Sequence, residues 1–282
     1  MEEVKVNTQI IKGFEDAAIL MDLQYKPLKK GKQPLAIFVH GFKGFKDWGA
    51  FNEMSKYMAN NGLAMLKFNF SRNGTTVNEP TKFTNPEAFG QNNYTIELKE
   101  IGLVLDWVYA HAAEFQLETD EIYLVGHSRG ATLSIIKAVE DERIKKVVAW
   151  SPFFDVKARF RKETVEEWDK TGVTWVVNKR TGEKLLLYRQ FYEDFLVHQH
   201  RFDMHEVCAQ FEKSLLIIHA KDDEAVDIAE ARKIYEAVPH AIKIEMENGG
   251  HTFGISHPFD SQQVLPEVFN ELLENTFEFL VD

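Results

Sequence analysis

Cysteine is almost missing from this chain: Cys208 is the only one in 282 residues. A single thiol closes no internal disulfide and builds no cysteine-rich metal site. That fits a reducing, cytoplasmic setting and leaves Cys208 as a packing residue. Long apolar runs are missing as well. None reaches the roughly 18 residues that a membrane span needs, so no membrane partner is expected. The opening residues, Met1-Glu2-Glu3-Val4-Lys5, are acidic and contain no apolar stretch of the kind that marks a secretory signal. Basic residues are outnumbered: 33 Lys and Arg against 44 Asp and Glu give a formal net charge of −11, and no segment gathers the basic ones. A nucleic-acid partner needs a basic face, so none is expected. There is no internal repeat or low-complexity stretch. With 44% hydrophobic and 27% charged residues, the chain has the make-up of a folded globular protein rather than a disordered one.

What is present is a rhythm of short apolar runs that stop at turn residues. Residues 35–39 stop at His40-Gly41, 64–70 at Ser71-Arg72-Asn73-Gly74, 122–125 at Gly126, 147–150 at Ser151-Pro152 and 215–218 at His219. Residues 242–246 lie just before Asn248-Gly249-Gly250. Unbroken apolar runs of this length suit strands buried on both faces. Between them, apolar residues recur at spacings of three and four over 51–61, 94–115, 129–141, 228–237 and 264–280, which predicts helices. Alternating strands and helices imply an α/β protein with a mainly parallel central sheet flanked by helices. Residues 3–26 read as antiparallel edge strands.

Residues 152–212 break the rhythm. Aromatics are denser there than in the rest of the chain, which suggests apolar surface to cover. The expectation is a core of 1–151 and 213–282 with 152–212 inserted as a mostly helical cap over the sheet's C-terminal edge. Inside it, Lys179-Arg180-Thr181-Gly182-Glu183 reads as an exposed turn. The 78–93 segment, rich in Asn and Pro, reads as an exposed irregular loop.

Gly126-His127-Ser128-Arg129-Gly130 has the form G-x-S-x-G, directly after an apolar run and directly before a helical one. That context puts Ser128 on a sharp strand-to-helix turn, with glycines where neighbouring chains must approach and a helix N-terminus behind the hydroxyl. Ser128 is therefore the candidate nucleophile. A serine hydroxyl needs a base. His251 is the best placed of the ten histidines, because Gly249 and Gly250 suit a loop that brings an imidazole over the sheet edge. His127, beside the nucleophile, is read as elbow packing and His219 as a packing or hydrogen-bonded residue. A third group must orient the imidazole, and both Asp222 and Asp223 follow the 215–218 run at the right edge.

On these residues the chain resembles the α/β-hydrolase superfamily. The resemblance spans His40-Gly41-Phe42, the strand and loop from Phe68 to Gly74, the elbow, the acid loop His219-Ala220-Lys221-Asp222-Asp223-Glu224-Ala225-Val226 and the His251 loop. It is nearest to dienelactone-hydrolase-like and cinnamoyl or feruloyl-esterase-like serine hydrolases. The resemblance implies Asp223 as the acid, with Asp222 left to solvent or to capping a loop. It also implies the backbone N–H groups of Phe42 and Arg129 as the oxyanion hole. Dienelactone hydrolases proper use cysteine as nucleophile, and Ser128 stands there here, which favours ordinary esters over lactones.

The expected function is a serine esterase that cleaves a small apolar or aromatic carboxylic ester, using catalytic Ser128, Asp223 and His251 and needing no metal or organic cofactor. Thioester or amide hydrolysis is the alternative within the enzyme class, and a non-catalytic binding protein on the same fold is the alternative outside it. The partner is then a small-molecule ester, with a homodimer left open. Trp48, Trp168 and Trp175 are candidates to line the site or an interface.

Overall fold

The computed structural model describes residues 3–178 and 182–282. Each short apolar run forms a strand: β3 (Gln33–Val39), β4 (Ala64–Phe68), β5 (Leu117–His127), β6 (Ile144–Trp150), β9 (Ser214–Ala220) and β10 (Ile242–Met246). They pair in parallel, with Ile37 opposite both Leu66 and Leu124 and with Val148 opposite Leu216. β1 (Lys5–Lys12) and β2 (Ala18–Tyr25) add an antiparallel edge, β2 pairing with β4. The eight-stranded sheet runs β1-β2-β4-β3-β5-β6-β9-β10.

Side chains alternate between the faces of a strand, and here each face meets its own core. Leu35, Ile37 and Val39 pack with one cluster, which takes in α3 (Tyr94–His111), α4 (Arg129–Glu140) and α8 (Ile228–Ala237). Ala36 and Phe38 pack with the other, against α1 (Phe51–Asn60) and α9 (Glu267–Val281). Two covered faces explain why the strands read as unbroken apolar runs. Burying one large apolar side chain in such a core stabilises by about 1.5–3 kcal/mol. Helix starts follow local chemistry: Asn93 caps α3 by accepting the Ile96 N–H, Asp227 caps α8 through Ala229, and Pro266 sets the start of α9.

Between β6 and β9 lie a short 3-10 turn (Lys157–Arg159), α5 (Lys162–Thr171), α6 (Gln190–Val197) and α7 (Met204–Ala209), and also a two-stranded antiparallel hairpin, β7 (Val173–Val177) with β8 (Lys184–Tyr188). The hairpin departs from the expected mostly helical insertion. Val173-Thr174-Trp175-Val176-Val177 and Leu185-Leu186-Leu187 are β-branched, aromatic and leucine-rich and pair with each other rather than with the main sheet. The expected turn at Lys179–Glu183 falls partly on residues 179–181, outside the described residues. This segment rests on the N-terminus of α3. The Tyr94 ring lies 4.8 Å from Phe191 and 5.4 Å from Phe202, and Gln190 Nε2 donates to the Gly90 and Asn92 carbonyls.

The 78–93 segment is not wholly irregular. A short helix, α2 (Pro86–Gly90), is capped by Asn85, and Phe89 at its end is buried 5.4 Å from the Phe42 ring. Among the described residues no helix is long and apolar enough to cross a membrane.

The turn between β5 and α4 tolerates no added carbon. A Cβ on Gly130 would lie 2.1 Å from the Val39 carbonyl oxygen and 2.7 Å from that of His40. Both are backbone atoms at the end of a core strand. Gly130→Ala is therefore expected to lower unfolding free energy by about 3 kcal/mol or more. Gly172→Ala, at φ +75° with no atom within 4 Å, should cost only about 1 kcal/mol. Urea denaturation of both variants checks this, and a Gly130→Ala protein as stable as the wild type would overturn it.

Candidate active site

β5 ends at His127 and α4 begins at Arg129, so Ser128 alone makes the reversal, at φ +56° and ψ −120°. This backbone region is unfavourable for any residue with a Cβ, at a cost of order 1–3 kcal/mol. Bonds on both sides hold it. The Ser128 N–H donates to the Trp150 carbonyl on β6 (2.8 Å), and the Ser128 carbonyl accepts the Ala131 and Thr132 N–H groups of the first turn of α4. The glycines make room: a Cβ on Gly126 would meet the Gly130 carbonyl oxygen at 2.4 Å, and one on Gly41 would sit 3.1 Å from Ser128 Cβ. Among the described residues the Ser128 side chain takes no hydrogen-bond partner, and it lines a cavity of about 700 Å³.

His251 lines the same cavity. It sits on a 3-10 turn (Gly250–Thr252) after Gly249 and Gly250, both at positive φ. Its Nδ1 lies 2.7 Å from Asp223 Oδ2. Asp223 is fully enclosed: Oδ1 accepts the Ala225 and Val226 N–H groups at 2.8 and 2.9 Å, and Oδ2 also receives His219 Nε2 at 3.2 Å. Burial works against its charge, but the hydrogen bonds from His219 and His251 outweigh it and hold the carboxyl far below the usual carboxylate range. Asp222 points the other way and accepts the Gly250 and Gly249 N–H groups at 2.8 and 3.3 Å. It fastens the glycine turn that presents His251.

The loop after β3 brings Phe42 to the same cavity wall as Ser128 and Arg129. Neither the Phe42 nor the Arg129 backbone N–H has an acceptor among the described residues. Behind the loop, Lys46 pairs with Asp22 and Asp47, and Asp47 also binds the buried Lys67 at 2.9 Å, which ties the loop to β2 and β4. His40 fixes its start: Nδ1 donates to the Gly41 carbonyl and Nε2 accepts the Phe70 N–H.

Thus the structure brings Ser128, Asp223, His251, Phe42 and Arg129 to one place, and Trp48, Trp168 and Trp175 line the cavity with them. Another cavity of similar volume, about 750 Å³, opens between Phe154, Phe202 and Lys233 and contains none of these groups. Sequence reading missed His127 as a hydrogen-bonding residue. Its Nε2 donates to the His251 carbonyl at 2.7 Å, and burial followed by the nearby His251 charge lowers its pKa to about 3. No local signal could have shown this, because residues 127 and 251 meet only in the fold. Cys208 is buried, its thiol pushed up to about 12 by burial. Among the described residues no group of three His, Cys, Asp or Glu side chains could hold a metal ion.

The BD-FAE family matches residues 21–238 of the chain. Among solved structures the fold is similar to Est1E of Butyrivibrio proteoclasticus with ferulic acid bound (18% identity, 97% of this chain and 98% of that one, TM-score 0.70). It is also similar to the esterase domain of a Rhodothermus marinus protein (19%, 88% and 90%, 0.61) and to a Klebsiella pneumoniae protein assigned as a dienelactone hydrolase (10%, 100% and 100%, 0.65). At these identities the likeness is one of fold, the α/β-hydrolase fold. No curated protein matches the chain.

The buried histidines make stability depend on pH. Burial lowers the His40 pKa from 6.5 to about 4, so between those values the unfolded chain binds a proton that the folded chain does not. Stability present at neutral pH is lost as pH falls through this window, by roughly 1.4 kcal/mol per pH unit. His127 acts in the same direction. A His40→Asn protein should be less stable at neutral pH and should lose about 2 kcal/mol less than the wild type between about pH 7 and about pH 5. Urea midpoints at both pH values test it, and equal losses would refute the assignment.

Proposed function

The chain belongs to the BD-FAE family, and on that premise we propose that it is a carboxylic ester hydrolase in which Ser128, His251 and Asp223 form the catalytic triad. The observation that carries this reading is the His251–Asp223 pair, 2.7 Å apart, opening on the same cavity as the strained Ser128. The aromatic walls of the cavity, and the ferulic acid bound by the similar Est1E, support an apolar or aromatic ester. In this reading residues 152–212 act as a cap over a core of 1–151 and 213–282.

An ester enters with its carbonyl carbon against Ser128 Oγ. As Oγ attacks, His251 Nε2 takes the hydroxyl proton and the carbonyl oxygen becomes an oxyanion. The acceptor-free N–H groups of Phe42 and Arg129, the second at the start of α4, donate to it. Asp223 stays ionised, fixes the Nδ1–H tautomer of His251 and stabilises the imidazolium. The tetrahedral species collapses, the C–O bond to the alcohol breaks, and His251 returns its proton to the leaving oxygen. Water then attacks the acyl-enzyme by the same steps in reverse roles, giving the acid and free Ser128. His127 acts through His251: its bond to the His251 carbonyl helps set where the ring sits.

Ser128→Ala should keep the wild-type circular dichroism, lose fluorophosphonate labelling and hydrolyse 4-nitrophenyl and cinnamoyl-type esters at least about a thousandfold more slowly. Turnover that persists in the purified variant would reject the triad.

A further inference from the structure

The wall of the Ser128 cavity carries charge of one sign. Lys43, Arg129, Arg159 and Arg161 line it, and among the described residues no aspartate or glutamate does. The chain as a whole is biased the opposite way, with 44 acidic residues against 33 basic, so composition does not account for the segregation. Arg159 and Arg161 are exposed, at the 3-10 turn and the start of α5, and neither has an ion-pair partner among the described residues. The Arg159 guanidinium rests 5.2 Å over the Phe153 ring.

Arg129 is the deeper group, only 7% exposed. Its guanidinium stands 4.0 Å from the Phe42 ring centre and 5.0 Å from those of Tyr94 and Phe191. It forms a buried ion pair with Glu97, Nη1 to Oε1 at 3.4 Å, and this is its single side-chain hydrogen bond among the described residues. A guanidinium carries five N–H donors. Glu97 balances the charge through one long bond and the ring faces add attraction, but neither fills the remaining N–H donors, which a second oxyanion in the cavity can take up. The planar fork matches a carboxylate.

We propose that the substrate is an anionic ester, one that carries a carboxylate on an apolar or aromatic skeleton in addition to its scissile bond. The aromatic walls hold the skeleton, the donors of Arg129 take the carboxylate, and Arg159 and Arg161 draw the anion to the mouth against the repulsion of an acidic protein. The inference rests on the ester-hydrolase reading and adds the charge of the substrate to it.

Two pairs of esters test it, each differing in one charge. Mono-4-nitrophenyl glutarate is compared with its methyl ester, which places the charge on the acid side. 4-Acetoxybenzoate is compared with methyl 4-acetoxybenzoate, which places it on the alcohol side. In at least one pair the charged member should have the higher kcat/KM by roughly tenfold or more. That advantage should shrink by roughly threefold in the Arg159→Gln/Arg161→Gln protein, which keeps Arg129, and should fall as salt is added. If neither pair favours the charged member while Ser128-dependent turnover persists, the anionic substrate is refuted and the esterase stands. An advantage that the double variant leaves intact removes Arg159 and Arg161 from the recognition. Labelling without turnover of any of the four moves the same comparison to protection from fluorophosphonate, where the charged members should protect more strongly. Absence of both turnover and labelling overturns the esterase reading and this inference with it.

Discussion

The backbone of Ser128 is the constraint on which the rest of this structure depends. A residue with a Cβ held at φ +56° and ψ −120° would relax if left alone, and it persists because its surroundings over-determine it. The Trp150 carbonyl fixes its N–H from β6, the first turn of α4 fixes its carbonyl, and the β3 strand end leaves no space beside Gly130. Parallel β3, β5 and β6 are thus needed in their observed register before the hydroxyl can stand where it does. The packed core on both faces of the sheet supplies the energy that holds this arrangement.

Around that turn the polar groups are arranged in a chain of supports. His251 is held from its ring by Asp223, from its carbonyl by His127 and through its preceding glycines by Asp222. Asp223 is itself held by two N–H groups and by His219. Asp223 Oδ1 is filled from its own loop, but the other bonds join groups from different elements, so an error in any one of several strand ends would misplace the imidazole. His40 and the Lys46, Asp47 and Lys67 group do the same for the loop that carries Phe42. Buried polar networks cost stability when half-filled and add rigidity when complete, and rigidity is what a preorganised site requires.

The segment between β6 and β9 gives the site its walls. Phe160, Trp168, Trp175 and Phe191 come from it, and so do Arg159 and Arg161. The cavity therefore combines a sheet edge that holds Ser128 and His251 with a second surface of aromatic and basic side chains from this segment, and the two can vary independently.

Much of this was legible in the sequence. Unbroken apolar runs such as 35–39 and 215–218 announced doubly covered strands, because burial on both faces removes the need for polar alternation. Gly126 and Gly130 around Ser128 announced a tight turn, because only glycine permits the chains to approach so closely. The hairpin at 173–177 and 184–188 was not legible, since short strands that pair only with each other leave no wider pattern. The short helix at 86–90 was hidden among loop-forming residues, held by Asn85 and by the burial of Phe89. Asp222 and Asp223 are adjacent and chemically identical. The local residues placed both at the correct edge and the family resemblance favoured Asp223, while the tertiary structure sends Asp223 to the imidazole and Asp222 to the glycine turn, because opposite side-chain directions along one loop meet different partners in space. The donor bond from His127 to the His251 carbonyl and the gathering of Arg129, Arg159 and Arg161 on one wall were likewise decided by the fold. Local sequence sets what each segment can do, and contact between residues more than a hundred positions apart, such as 127 and 251, exists only once the core has closed.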